Sequence, residues 1–209
     1  MAFKFIESRL SDAATYKKAM RWLERENGHV YIANFVAASP NTTILDIGCG
    51  PSAILDYLDN IQYTGIDISE KYIDDARRQY GDRATFHCTS VDEFPNLDDT
   101  KFDCILLLGV QHHLSDDQLD ALMRMIPTLL SPRGRVVTHD PVITPMQNPV
   151  ARLLMKLDRG RHIRNQDGYQ RFIPPSLSVK SSRIKTDMLR LPYSVLFQEL
   201  ELTRCADQA

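Results

Sequence analysis

Apolar and polar positions along this chain follow two rhythms, and the switches between them outline alternating strands and helices. ILDI (44–47), QYTGIDI (62–68), ATFHC (84–88), FDCILLLG (102–109) and RVVTHD (135–140) are short apolar or alternating runs bounded by breakers, the signature of strands. Between them the spacing predicts a helix over SAILDYL (52–58) and another from Glu70 to Tyr80, with Ser69 as N-cap and Gly81 as stop. Ser115-Asp116-Asp117 opens a further helix to about Leu130, and Ser131-Pro132-Arg133-Gly134 reads as a turn. Ala19, Trp22, Leu23, Val30, Ile32, Phe35 and Val36 keep helical spacing through 12–38, so two N-terminal helices are expected with a break at Asn27-Gly28.

FDCILLLG is apolar without alternation, as a strand buried on both faces of a parallel sheet must be. Strands alternating with helices imply right-handed crossovers. The expected fold is α/β: a doubly wound, mainly parallel seven-stranded sheet with helices on both faces and helices at the N-terminus. After Asp140 the pattern changes. Pro141, Pro145 and Pro149 precede a helix predicted at 150–158 and the arginine-rich DRGRHIRNQDGYQRF. Strands near 177–186 and 193–202, separated by Leu191-Pro192, form an antiparallel edge pair at the C-terminus.

Composition limits the size and setting. The 209 residues, 43% hydrophobic and 25% charged, suit one globular domain. Within it, 1–38 is expected to form a helical lid, 40–140 the ligand-binding core, 141–175 a substrate cover and 176–209 the closing strands. Cys49, Cys88, Cys104 and Cys205 show no CxxC spacing, so free thiols and a reduced compartment are expected. The N-terminal stretch lacks a signal peptide's apolar core and no run reaches a membrane span, so a cytoplasmic protein without membrane contact is expected. The net charge of −2 argues against a general nucleic-acid binder. The charge is uneven, however: residues 151–209 hold eleven Lys/Arg against six Asp/Glu, a balance of +5, while residues 1–150 hold fourteen against twenty-one, a balance of −7.

Ligands of open α/β sheets bind beyond the carboxyl ends of the strands. Asp46, Asp67, Ser90 with Val91, and Gly109 to His113 all fall at such ends. Gly48-Cys49-Gly50-Pro51-Ser52-Ala53 matches the GxGxxG/A turn of dinucleotide sites, with Asp67 placed for a ribose contact, so a nicotinamide-dependent oxidoreductase fits the spacing. Asp46 opposes that reading, because its carboxylate would repel a pyrophosphate and favour an ammonium or sulfonium.

LDIGCG, then GIDIS, then FDCILLLGVQHHLSD resembles the class I S-adenosylmethionine-dependent methyltransferases over roughly residues 40–140. The resemblance implies S-adenosylmethionine as cofactor, close backbone approach at Gly48, Cys49 and Gly50, and Asp46 near the methionine ammonium. It further implies Asp67 on the ribose hydroxyls, Ile68 against the adenine and Gly109 beside the methionine end. Two positions depart from the family's common form. Ser52 stands for the third glycine, and Ser90, next to Val91, stands for the acidic residue that meets the adenine amino group.

A sulfonium methyl is already activated, so the protein must align a nucleophile and, for a hydroxyl, remove its proton. His113 is the first candidate for this base and His112 the second. Asp140 is expected to end the fifth strand and to act as base or as the carboxylate partner of His113. His139, Asp103 and Cys104 read as structural, and no third ligand completes a metal site with the two histidines. Arg159, Arg161, Arg164, Tyr169 and Arg171 cluster beyond the core. Of these, Arg161, Arg164 and Tyr169 are the substrate-binding candidates, suited to an anionic or sugar-derived small molecule. Methyl transfer to oxygen or nitrogen of such a molecule is the leading reading. A NAD-dependent oxidoreductase and a non-catalytic nucleoside-binding module are its rivals, and no oligomeric state is implied.

Overall fold

The computed structural model describes residues 28–91, 93–94, 100–149, 152, 155, 162–188 and 193–203. Most of the expected lid, including Tyr16 and Trp22, lies outside these residues, as do Arg159, Arg161, Cys205 and most of the helix expected at 150–158. The described part of the N-terminal region is α1 (Gly28–Val36), which starts at the expected break. Tyr31 packs its ring 5.0 Å from Phe197, a core contact.

Five strands follow the predicted order: β1 (Thr43–Ile47), β2 (Gln62–Asp67), β3 (Ala84–Cys88), β4 (Phe102–Leu108) and β5 (Leu130–Ile143). β6 (Arg164–Asn165) is a two-residue strand, and β7 (Leu177–Lys185) and β8 (Val195–Leu202) close the chain. The sheet order is β3-β2-β1-β4-β5-β8-β7, with β6 paired to β5 off that path. Every pair from β3 to β5 is parallel, whereas β5–β8 and β8–β7 are antiparallel. The doubly wound sheet with an antiparallel edge pair is therefore present, with one short strand beyond the seven expected.

The helices cover both faces. α2 (Glu70–Tyr80) begins where Ser69 accepts a hydrogen bond from the Tyr72 amide and ends at Gly81. With α1 it buries Ile32, Val36, Ile73, Ala76 and Tyr80 against Ile44, Tyr63, Phe86 and Leu106. α3 (Asp116–Leu129) starts in a capping box formed by Ser115 and Gln118 and covers the other face with Leu119, Leu122, Met123 and Ile126. Ile105, Leu106 and Leu107 on β4 are all fully buried, as their unalternating run requires. Each such side chain contributes roughly 1.5–3 kcal/mol of burial.

Two elements differ from expectation. The helix expected over 52–58 is a single 3-10 turn, Ala53–Asp56. Ser52 (φ 54°) and Asn60 (φ 54°) both take left-handed backbone, which confines the segment between them to little more than one turn. The turn expected at 131–134 is absorbed into β5 as a bulge: Phe102 pairs with Leu130 and Cys104 with Arg135, so residues 131–134 are looped out of the ladder. Asp103 and Cys104 are structural as expected, with Asp103 accepting from the Thr43 amide and hydroxyl and from Ser131.

Candidate active site

The glycine turn is folded over the end of β2. The Gly48 and Cys49 amides both donate to the Ile66 carbonyl, at 2.8 and 3.0 Å. Gly48 has φ +70°, and a Cβ there would lie 2.7 Å from Val110 Cγ2, so the turn packs directly on the loop after β4. Gly50 also has positive φ (+52°), yet a Cβ there would meet no described residue within 4 Å. Among the described residues, one glycine is needed for packing and the other faces open space. The Gly50 amide donates to Asp67 Oδ2 at 2.9 Å, and the Ser69 amide donates to Oδ1 at 2.8 Å. Each carboxylate oxygen thus holds one backbone donor and keeps a second acceptor position. Beyond it, Ile68 is 79% exposed, an apolar side chain left in the open at a strand end. Ser90 and Val91 are partly buried in the turn after β3, and Val91 packs against the α3 side of the core.

Behind the turn lies Asp46, 2% exposed. The Tyr63 hydroxyl donates to Asp46 Oδ2 at 2.5 Å and also lies 3.3 Å from Ser52 Oγ. Asp46 Oδ1 is buried with no hydrogen-bond partner among the described residues. Burial pushes this carboxyl up to about 7; the Tyr63 hydrogen bond opposes the shift and the Asp67 charge adds to it. Burial and the same carboxylate hold the Cys49 thiol far above its ordinary range, so it is no nucleophile. Its sulfur packs over Gly65, where a Cβ would sit 2.8 Å from Sγ.

A second cluster forms where β4 and β5 part. β4 pairs with β5 up to His139, and the Gly109 amide then donates to the His139 carbonyl at 2.6 Å. Asp140 lies just past the last β4 pair, although β5 itself runs three residues farther because β6 and β8 continue the ladder. Asp140 is therefore not the end of its strand, yet its side chain reaches the loop after β4. Its carboxylate accepts from Gln111 Nε2 (3.0 Å), the His112 amide (3.1 Å) and His112 Nδ1 (2.8 Å). The partnership expected between Asp140 and His113 is made with His112 instead. The 3-10 turn Gln111–His113 buries His112 and leaves His113 exposed, with the two rings 4.0 Å apart. With Nδ1–H committed to the carboxylate, Nε2 is the acceptor nitrogen of the neutral ring.

The cover segment is joined to this turn. The His162 amide donates to the His112 carbonyl at 3.0 Å. Arg164, 9% exposed, gives its guanidinium to the carbonyls of Gln111, His162 and Leu114 and to Asp116, which also pairs with Arg171. Tyr169 is buried, and its hydroxyl donates to the Pro141 carbonyl at 2.9 Å. Arg164 and Tyr169 thus hold the cover to the core, their polar groups spent on protein partners. His139 turns to the opposite face, 4.8 Å from the Phe197 ring, as expected.

Tyr63 and His162 are site residues that the strand ends do not single out, and Gln111 lies inside the stretch Gly109 to His113 without a role of its own there. Alternation offered a signal for Tyr63, since positions 63, 65 and 67 share one face of a strand that ends in Asp67. His162 acts through a contact that depends on how the cover folds back, and Gln111 through the turn that brings its Nε2 to Asp140, so local pattern carries no trace of either partner.

Residues 44–134 match the family described as "Methyltransferase domain". No curated protein sequence is detectably similar to the chain. Among solved structures, the plantazolicin methyltransferase BpumL, in complex with a triazolic desmethylPZN analog and SAH, is 18% identical with TM-score 0.67, covering 95% of this chain and 94% of that one. The N-methyltransferase NodS from Bradyrhizobium japonicum WM9 is 17% identical with TM-score 0.63, covering 84% and 94%. The [4+2]-cyclase SpnF is 16% identical with TM-score 0.67, covering 85% and 81%. At these identities the likeness establishes the fold, and the presence of a cyclase among the neighbours shows that the fold does not name the reaction.

Proposed function

We propose, on the premise that this chain carries a class I S-adenosylmethionine-dependent methyltransferase domain, that it transfers a methyl group from S-adenosylmethionine to oxygen or nitrogen of a small molecule. The observation that carries the reading is the contact between Gly48 and Val110, which joins the glycine turn to the loop bearing His112. That packing supports a cofactor seat on the turn with His112 as the neighbouring base.

The residues present fit that cofactor. Open space at Gly50 admits a ligand against the backbone, Asp67 keeps acceptor positions for a cis-diol, and Ile68 offers an apolar face for a planar base. Asp46 has a buried, unpartnered oxygen that favours a cationic amino group, whereas a pyrophosphate in that place would be repelled. Ser90 and Val91 stand at the adenine end, and Gly109 at the methionine end.

When bound, S-adenosylmethionine supplies a methyl group already activated by the sulfonium. His112 Nε2 accepts the proton of the attacking hydroxyl or amine, and Asp140 holds the ring in place by Nδ1. Gln111 and the His112 amide fix the carboxylate in turn. His113, exposed beside His112, is a second polar contact for the acceptor. An anionic or sugar-derived acceptor is supported by the basic segment that follows the core. There Arg161 is the group proposed to meet it, since Arg164 and Tyr169 are committed to the cover.

Calorimetric titration with S-adenosylmethionine and S-adenosylhomocysteine tests the first step, and micromolar binding of both is expected. No binding at millimolar concentration, or thermal stabilisation by NAD instead, would overturn it. Transfer of labelled methyl from the cofactor into a pool of small hydroxy and amino compounds tests the second.

A further inference from the structure

Tyr63 lies outside the glycine motif, on the strand beside it, and its hydroxyl makes the only hydrogen bond that the described residues give to the Asp46 carboxylate. It is fully buried among Cys49, Ser52 and Phe86, so its cost of burial must be offset by what it holds. A tyrosine needed for packing alone would be served by phenylalanine.

We propose that Tyr63 is a positioning residue of the cofactor site: its hydroxyl holds one oxygen of Asp46 as a carboxylate, leaving the other to answer a cationic amino group, which binds as Asp46 gives up its proton. The proposal rests on the cofactor reading above. Among the described residues, the groups that face Asp46 are Tyr63 and Asp67 on β2, Cys49 and Ser52 in the turn and Cys104 on β4. Tyr63 and Cys49 are held far above neutrality and Cys104 is pushed up to about 12, so none of them loses a proton between pH 6 and 8. Asp67 brings a second negative charge, which makes the carboxylate form of Asp46 harder to keep. Tyr63 opposes both that charge and burial. An arriving ammonium acts in the same direction, and the proton leaves for the buffer.

The test is calorimetric titration with S-adenosylhomocysteine at pH 6, 7, 8 and 9, each in two buffers of different ionisation enthalpy, so that protons released on binding are counted. With Asp46 titrating near 7 in the free protein, affinity should rise about tenfold from pH 6 to pH 8, with about half a proton released at pH 7. In Tyr63→Phe the same curve should move to higher pH. A shift of one unit weakens binding roughly fivefold at pH 7 and leaves it close to wild type at pH 9. Asp46→Asn should bind without releasing a proton. A tyrosine that only packs would, when replaced, weaken binding by the same factor at every pH, and that result overturns the proposal. So does wild-type binding that is independent of pH and of buffer, a measurement that needs no variant and decides the matter even if Tyr63→Phe fails to fold. No binding at any pH overturns the cofactor reading itself, and this proposal with it.

Discussion

Asp46 and Asp140 are both buried carboxylates at the carboxyl end of one parallel sheet, two strands apart, and they are held in opposite ways. Asp140 has both oxygens occupied by Gln111 and His112. Asp46 has one oxygen on Tyr63 and the other on no group among the described residues, with burial holding its proton up to about 7. The β4–β5 corner is complete as it stands, a dyad already assembled before any ligand arrives. The β1–β2 corner is unfinished, and a cationic group would complete it. Preorganisation suits a base that must be in place when the acceptor arrives. An unfilled site suits a ligand that is to be held by charge.

The largest effect is expected at the finished corner. Asp140→Asn should lower the single-turnover methyl-transfer rate by about two to four orders of magnitude, because the amide cannot hold the same His112 tautomer. Affinity for S-adenosylhomocysteine should stay within about threefold. Equal losses in both quantities would place Asp140 with the cofactor instead.

At the unfinished corner the effect is on stability and runs with pH. Asp46 holds its proton more tightly in the folded chain, at about 7, than at its ordinary value of 3.8. Stability is therefore lost as pH rises from about 4 to about 7, and the deficit is full above that. Asp46→Asn removes this dependence, so in denaturant titrations its stability relative to wild type should improve by about 2–3 kcal/mol between pH 5 and pH 8. A difference that does not vary with pH would show that Asp46 is ionised throughout.

The joint between the corners comes next. Gly48→Ala must place a Cβ against Val110 at positive φ and should cost about 2–3 kcal/mol in thermal or chemical denaturation. Gly50→Ala pays only for its backbone, about 1 kcal/mol. Its main effect should be weaker binding of S-adenosylhomocysteine, because the added methyl enters the open space. Equal stability losses would mean that the turn does not pack on Val110. The smallest effect is expected at Ser52, whose φ of 54° is one that glycine adopts without strain. Ser52→Gly should change the unfolding midpoint by less than the equivalent of about 1 kcal/mol, because relief of the left-handed backbone is offset by loss of the buried Oγ contact with Tyr63.

Much of the architecture was legible along the chain because its signals are local. The β4 run is apolar at every position from Cys104 to Leu108, so it had to be central. Ser69 and Gly81 bound α2 where caps bound helices, and the Ser115–Gln118 capping box starts α3. The exception at 52–58 is also physical, since apolar spacing alone suggests helix while two left-handed residues cut it to one turn. At the site, the carboxylates and glycines could be placed because each sits at a strand end. Their partners could not, and Asp140 shows why: it pairs with His112 rather than His113 because the turn after Gly109 is 3-10, which buries one ring and exposes the other. One residue of rotation reverses the assignment.

Arg164 makes the same point from the cover. In the sequence it is one arginine of a basic cluster, free to grip an anion. In the fold it spans Gln111, Leu114, His162 and Asp116 and staples the cover to the turn that carries His112. The alternation of strands and helices, the doubly wound sheet and the strand ends where polar side chains converge are written along the chain, because backbone periodicity and capping are properties of neighbouring residues. Which histidine Asp140 holds, that Tyr63 reaches Asp46 and that Arg164 faces inward follow from the folded arrangement alone. Those contacts join residues 17 to 53 positions apart, and a hydrogen bond at that separation exists only once the sheet has set its register.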